Sequence, residues 1–274
     1  MTVWINGTLL PDDEASISVF DHGLVVGDGV FETVKVAGGV PFAMSRHLAR
    51  LGRSAAGLGL PELDLEAIRA GAGALLEASG RPQQARLRIT VTGGRSNLGS
   101  ERTGSALTVI IAAGTLTAWG ATCDVVTVPW PRNERGATAG LKTTSYAENV
   151  VALAYARERG AGEAIFGNTV GNLCEGTGTN VFVVTGGRLI TPPLSAGCLA
   201  GVTRDLVIEW AGAAEEDLGI GALAAAEEAF LAGTTRDVQP VRSVDGTALP
   251  AAPGPITRKA ADIFAARSAE LVDP

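Results

Sequence analysis

A mixed α+β fold is what this 274-residue sequence predicts, and three patterns predict it. Residues 30–36 and 86–92 alternate apolar and polar, as half-buried strands do. Leu48, Leu51, Ala55 and Leu58 recur at helical spacing. In the second half, short apolar segments are separated by Gly-rich turns. Apolar residues make up 46% of the chain, enough for one large core or two modest ones.

Taken in order, residues 2–5 alternate, Asn6-Gly7 is a hairpin signal, and residues 8–10 return. The strand at 30–36 is closed by Gly38-Gly39. Helices follow at about 45–58 and 65–78, then strands at 86–92 and 106–112. The stretch 114–124 has linker composition. The expected organisation is an N-terminal α+β domain at 1–115, a linker at 116–124 and a C-terminal domain at 125–274. The second domain opens with a strand at 125–128 and a helix at 145–158 whose apolar face is expected to include Val150, Leu153 and Ala154. Strands at 164–166, 173–175, 181–184 and 189–191 follow, then a helix at 203–210, a short strand at 228–231 and a last helix at 257–267.

The net charge is −7 without a basic cluster, which argues against a nucleic-acid partner. No apolar run approaches the ~20 residues of a spanning helix, and the N-terminus does not resemble a signal peptide. No membrane association is therefore expected. Three widely spaced cysteines, Cys123, Cys174 and Cys198, form no CxxC pair, so neither zinc nor a disulfide framework is expected and a reducing cytoplasm fits. Only two histidines, His22 and His47, are present, and no metal site is expected. With three lysines in all, lysine chemistry must use Lys35, Lys142 or Lys259.

Lys142 stands out, in Gly140-Leu141-Lys142-Thr143-Thr144-Ser145-Tyr146. It is placed just before a predicted helix, where a cation opposes the positive helix end. Such a position helps keep an amine neutral and nucleophilic, as Schiff-base chemistry requires. The bland alternative is a solvated lysine at a helix start. A P-loop does not fit, because Leu141 separates Gly140 from the lysine. Glu175 ends a short apolar strand, where a carboxylate is out of character. It is either a solvated rim residue or an anion that pairs with a protonated ring nitrogen. Gly201-Val202-Thr203 opens a helix whose N–H groups can face an anion, or is an ordinary cap. Gly233-Thr234-Thr235 is a second turn with hydroxyl donors, and Arg50 is either a surface arginine or a clamp on the same anion.

Together these segments resemble the class IV aminotransferase family, the fold-type IV enzymes of pyridoxal 5'-phosphate (PLP). The resemblance begins at Gly27-Asp28-Gly29-Val30-Phe31-Glu32-Thr33 and His47-Leu48-Ala49-Arg50-Leu51. It continues through Lys142-Thr143-Thr144-Ser145-Tyr146, Glu175 and Gly201-Val202-Thr203-Arg204, and ends at Thr234-Thr235-Arg236-Asp237-Val238-Gln239-Pro240-Val241. It implies a two-domain fold like that of D-amino-acid aminotransferase, with a smaller N-terminal α+β domain and a C-terminal β-barrel-like domain with helices. It implies PLP held on Lys142 as a Schiff base, with Glu175 on the pyridine nitrogen. Arg50, Val202, Thr203 and Thr234 would hold the phosphate, and Tyr146 would lie near the ring oxygen. The substrate would be a small amine or amino-acid-like molecule, and the enzyme a homodimer with its site between the two domains of each subunit.

The cofactor residues do not choose the reaction. Phe31, Thr33 and Arg95, in segments that look like those of lyase-type members, lean towards aminodeoxychorismate lyase, which makes 4-aminobenzoate and pyruvate for folate synthesis. The alternatives are an aminotransferase of branched-chain amino acids, D-amino acids or (R)-amines, and a degenerate member serving as an interaction module. D-amino-acid aminotransferases carry an arginine where this chain has Gly93, which counts against that specificity.

Overall fold

The computed structural model describes residues 2–104 and 106–274, and divides into two compact units. The first gathers Met1–Thr117, Leu141–Tyr146 and Val272–Pro274; the second gathers Ala118–Gly140 and Ala147–Leu271.

In the first unit, β1 (Thr2–Ile5) and β2 (Thr8–Pro11) form the hairpin the Asn-Gly pair signals. Asn6 and Gly7 both have positive φ, +46° and +95°, the left-handed conformation such a turn needs. A single helical turn, α1 (His22–Val25), precedes β3 (Gly29–Ala37) and β4 (Val40–Pro41). Helices α2 (Met44–Gly57) and α3 (Leu65–Ala78) follow, then β5 (Gln84–Thr92) and β6 (Thr108–Gly114). The last strand lies two residues further along than the apolar run alone suggests. Among the described residues the strands form one antiparallel sheet in the order β2-β1-β6-β5-β3-β4. The core packs Val30, Val34 and Val36 of β3 with Leu48 and Leu51 of α2 and Leu75 of α3, all at most 2% exposed. Side chains of a strand alternate between faces, so Phe31, Thr33 and Lys35 point the other way. The register Phe31↔Thr90, Thr33↔Arg88 and Lys35↔Arg86 puts Arg86 and Arg88 on that second face too.

The second unit comprises β7 (Cys123–Thr127), α4 (Ala147–Glu158), β8 (Glu163–Gly167), β9 (Leu173–Gly176), β10 (Asn180–Thr185) and β11 (Arg188–Thr191). It continues with α5 (Val202–Ala211), β12 (Ala214–Glu215), β13 (Glu228–Gly233), β14 (Asp237–Val244), β15 (Thr247–Ala248) and α6 (Pro255–Glu270). The strands run β12-β11-β10-β13-β14-β7-β8-β9, with β15 beside β14, and β9 pairs back onto β10 through Glu175↔Asn180. That last pairing closes the sheet into a barrel, with Ile165, Leu173, Val181, Leu231 and Val241 fully buried in the core.

Two expectations need correction. The inward face of α4 is Ala152 and Ala156, not Val150, Leu153 and Ala154; Val150 is 65% exposed. Small alanines let the helix lie close on Ala164 and Phe166 of β8, so tertiary packing rather than side-chain size sets the buried face. Strand β14 has no counterpart among the predicted strands: it contains Pro240 and starts at Asp237 with φ +54°. Proline is disfavoured inside a strand, which hid the alternation of Val238, Pro240 and Arg242 with Gln239 and Val241.

No helix among the described residues is long and apolar enough to cross a membrane. All three cysteines are buried, and burial pushes the Cys123 and Cys174 thiols up and Cys198 to about 12. A thiol reacts as its thiolate, so an aromatic disulfide reagent at pH 8 is expected to titrate no thiol in the native protein. Three should react in denaturant. Fast native modification would contradict this burial.

Candidate active site

In the first unit the lysine segment lies along β3. The Phe31 N–H donates to the Lys142 carbonyl at 3.0 Å, the Thr144 N–H to the Gly29 carbonyl at 2.8 Å, and Thr143 bridges to Val30. The Lys142 N–H donates to Ser54 Oγ of α2 at 3.2 Å. The Thr144 and Ser145 hydroxyls both donate to the Gly27 carbonyl, at 2.9 and 3.1 Å. Gly29 has no room for a side chain, because a Cβ would lie 2.8 Å from the Val91 carbonyl oxygen and 3.0 Å from Thr144 Oγ1. The backbone of Lys142 is thereby fixed, and its Nζ lies 4.4 Å from the centre of the Phe31 ring and 5.8 Å from that of Tyr146. The two rings meet edge to face at 5.1 Å. Lys142, Tyr146 and Phe31 are thus brought together.

Arg88 completes this group, stacked over Phe31 at 3.4 Å and donating from Nε to Thr90 Oγ1 at 3.1 Å. It is half-buried, and burial lowers its pKa to about 10 despite Tyr146 and Glu32 nearby. Among the described residues no carboxylate is within ion-pair distance of it. The alternation around Leu87 had signalled only that Arg86 and Arg88 share a face. Thr33 lies beside Arg88 on that face. Arg95 lies apart, on an exposed loop 5.5 Å from the Phe20 ring.

Behind β3, Glu32 faces α2. Arg50 donates to both its oxygens at 2.7 Å, and His47 Nδ1–H donates to Oε2 at 2.7 Å. All three are at most 5% exposed. Burial alone would raise Glu32; the charge and hydrogen bonds of Arg50, with His47, outweigh it and hold the acid at about 2. Burial depresses His47 despite Glu32, so the ring is neutral and its proton is on Nδ1. Arg50 therefore gives its Nε and one terminal nitrogen to Glu32, a partner that sequence reasoning did not foresee.

In the second unit, Glu175 sits on β9 next to its pairing partner Asn180. One carboxylate oxygen accepts the Leu199 N–H at 2.9 Å; the other is 3.2 Å from Arg132 Nε. Asn180 donates to the Leu199 carbonyl at 2.9 Å, and a Cβ on Gly201 would lie 2.0 Å from Asn180 Oδ1, so only glycine fits there. Helix α5 starts directly after Gly201 with no side-chain cap. Its first N–H groups, those of Val202 and Thr203 among them, have no partner within the helix. Thr203 is 4% exposed. The Gly233 turn is tied to this region through Ala232, which pairs with Asn180. The Arg236 N–H closes the turn onto the Gly233 carbonyl at 3.0 Å, so Thr234 and Thr235 occupy its two central positions, whose N–H groups stand outside the ladder. The buried ion pair Arg236–Glu163, at 3.5 Å, holds the turn from behind. Glu175, Val202, Thr203 and Thr234 are therefore linked through one asparagine and one short turn.

The donor chemistry suits an aromatic cofactor with an anionic tail. Two sets of outward N–H groups, each with a threonine hydroxyl, match a phosphate. A carboxylate fixed by a backbone N–H matches a protonated ring nitrogen, and an amine matches an aldehyde.

A closed barrel in one unit and an antiparallel α+β sheet in the other, with these groups, define a PLP enzyme of the fold-type IV class. The family model of amino-transferase class IV matches residues 29–244, and the chain belongs to that PLP-dependent family. A putative branched-chain-amino-acid aminotransferase of Methanocaldococcus jannaschii is 32% identical over 90% of this chain and 88% of its own length. D-alanine aminotransferase of Bacillus licheniformis is 29% identical over 94% of each chain. The crystal structure of branched-chain amino acid aminotransferase from Escherichia coli superposes with a TM-score of 0.91 at 28% identity, covering 97% of this chain and 93% of that one. Other solved neighbours are forms bound to PLP and to pyridoxamine 5'-phosphate. The relatives named are aminotransferases, so the comparisons favour the transaminase alternative over the lyase.

Proposed function

We propose that this chain is an aminotransferase that moves the amino group of an α-amino acid to a 2-oxo acid through PLP, with branched-chain amino acids as the donor class. The observation that carries this reading is Arg88: a half-buried guanidinium with no acidic partner, on the face that also carries Lys142 and Phe31. An unpaired, partly desolvated cation is costly, and a substrate carboxylate would relieve that cost. The apolar ring of Phe31 beside it suits an aliphatic side chain. The relatives' names support the same donor class.

The bound cofactor supplies an electron sink for the charge left at the substrate α-carbon when its proton departs. The rest falls to the chain. Lys142 would carry the cofactor and, as a free amine, would take up and give back the proton of the substrate α-carbon. Tyr146 flanks the lysine and is proposed to sit against the ring oxygen. Glu175, oriented by Leu199 N–H, keeps a proton on the ring nitrogen. Val202, Thr203 and Thr234 anchor the phosphate with N–H and hydroxyl donors, and Arg50, which Glu32 holds in place, is proposed to add a positive charge to that anchor. Thr33 borders the substrate face. A homodimer is part of the proposal; the exposed Val19, Leu24 and Leu98 of the first unit, 64–70% accessible, are apolar surface of the kind a second copy covers.

The lyase alternative drew on Phe31-Glu32-Thr33 and on the loop with Arg95. Glu32 is engaged by Arg50 and His47, and Arg95 is at the surface, so no placement favours it. The deciding assay gives the purified holoenzyme leucine, isoleucine, valine or D-alanine with 2-oxoglutarate, and separately aminodeoxychorismate. Glutamate formed from a branched-chain donor is the expected result. Pyruvate from aminodeoxychorismate without amino transfer would replace this reading by the lyase. Arg88→Ala is expected to raise KM for the 2-oxo acid by about 10- to 100-fold, the size of a lost hydrogen bond to a charged group. An unchanged KM would remove Arg88 from the substrate site.

A further inference from the structure

No local pattern in Trp130-Pro131-Arg132-Asn133 marks Arg132, yet it forms an ion pair with Glu175. Its Nε lies 3.2 Å from Glu175 Oε1. Its two terminal nitrogens donate to Glu148 Oε2 at 3.2 Å and Asn149 Oδ1 at 2.6 Å. The guanidinium stacks on the Phe166 ring at 4.1 Å, and the Arg132 N–H donates to the Gly167 carbonyl at 2.7 Å. Both partners of the ion pair are mostly covered, with side-chain exposures of 16% and 13%. Arg132 is thus fixed by its two terminal nitrogens and the Phe166 ring, and meets Glu175 through charge at ion-pair distance, its buried Nε–H making no hydrogen bond.

Its contacts join two places that matter. Glu148 and Asn149 are in the first turn of α4, which begins directly after Tyr146. Glu175 is the acid assigned to the ring nitrogen. One planar fork therefore ties the exit of the lysine segment to that acid. We propose that Arg132 is a positioning residue of the reaction: it fixes the carboxylate of Glu175 in the ionised, ring-facing state and limits how much negative charge that carboxylate presents to the ring. The proposal rests on the PLP reading of Glu175 given above.

Cys174 and Cys198 are buried near Glu175, and burial and the Glu175 charge keep both thiols protonated. Glu134 accepts from Thr169 N–H and hydroxyl, and Arg204 is engaged by Glu215 and Asp205. Glu148, 75% exposed, faces water.

The sign of its effect follows from Coulomb's law. A cation beside Glu175 disfavours protonation of the cofactor system next to it, and removing it favours protonation. The test is a pH titration of the visible absorbance of the holoenzyme, with no substrate present. Arg132→Gln is expected to move the midpoint upward by about half a unit to one unit, as losing one partly screened charge does, and to lower kcat with KM nearly unchanged. Arg132→Lys keeps the charge but not the fork. Its midpoint should stay near that of the wild type, while kcat falls by roughly tenfold as the fork's simultaneous hold on Glu148, Asn149 and Glu175 is lost. Arg132→Met, which keeps the stem over Phe166, takes the place of the glutamine variant if that does not fold. A neutral variant that binds cofactor with an unshifted midpoint and an unchanged kcat overturns the proposal, even if its melting temperature falls. Wild-type protein that takes up no PLP would instead overturn the reading on which it rests.

Discussion

Replacing Lys142 by alanine is expected to lower amino transfer by at least ~10³-fold, the loss that accompanies removal of a positioned proton carrier and covalent anchor. The fold should survive, because what fixes this segment is backbone. The Lys142 carbonyl accepts from Phe31 N–H, the Lys142 and Thr144 N–H groups donate to Ser54 and Gly29, and the Thr144 and Ser145 hydroxyls donate to Gly27. These bonds use backbone groups and the Thr144 and Ser145 hydroxyls, while the lysine amine lies over the Phe31 and Tyr146 rings. Melting temperature and single-turnover rate should therefore separate, the first nearly unchanged and the second collapsed. Borohydride treatment of the yellow wild-type protein should add the cofactor's mass to the peptide containing residue 142 and to no peptide of the alanine variant. A tag on Lys35 or Lys259 would move the chemistry elsewhere and end the assignment.

The second large effect is on stability. Arg50→Met leaves Glu32 buried without its cation, and breaking a buried pair from one side costs about 3–5 kcal/mol. His47 cannot take over, because burial keeps it neutral. Urea unfolding at pH 7 should show the loss, and the double variant with Glu32→Gln should recover part of it, since no unpaired charge then remains. The pair also has a pH signature. Glu32 is held at about 2, below the ordinary 4.5, so its stabilisation is complete above 4.5 and lost as pH falls towards 2. His47, depressed from 6.5, acts in the same direction: the unfolded chain takes up its proton first, so stability begins to fall below about pH 6.5. Wild-type stability measured from pH 8 down to pH 3 should decline in that order. A flat profile, or an Arg50→Met variant as stable as wild type, would contradict the geometry of this cluster.

Much of this was legible in the sequence because the relevant signals are local. The spacing of Leu48, Leu51 and Ala55 and the alternation of β3 and β5 gave both helices and the central strands of the first unit within a residue or two. Motif order gave the family. What stayed hidden depends on partners far along the chain. The inward face of α4 is set by β8, and its apolar residues lie all round the helix, so no stripe announces which side is buried. Pro240 masked β14, although its neighbours on either side complete the barrel. Arg50 looked like a single cation, and nothing local showed that Glu32, on another element, would claim it. Arg88 was recognisable as one of two arginines on a strand face, but not as the one stacked on Phe31. Arg132 carried no signal, since what makes it notable is its distance to Glu175.

The way the polypeptide is shared out between its two units has a consequence for dissection and design. Residues 141–146 and the final three residues belong with the first 117, and the tail is bonded there: Ala43 N–H donates to the Val272 carbonyl at 2.8 Å, and Ser45 N–H to Asp273 at 2.8 Å. An expression fragment ending at 117 would omit both the edge segment that carries the reactive amine and the plug on the first turn of α2. A gene cut there yields two incomplete pieces rather than two modules, so shuffling halves among homologues calls for junctions that move residues 141–146 and 272–274 together with the N-terminal part.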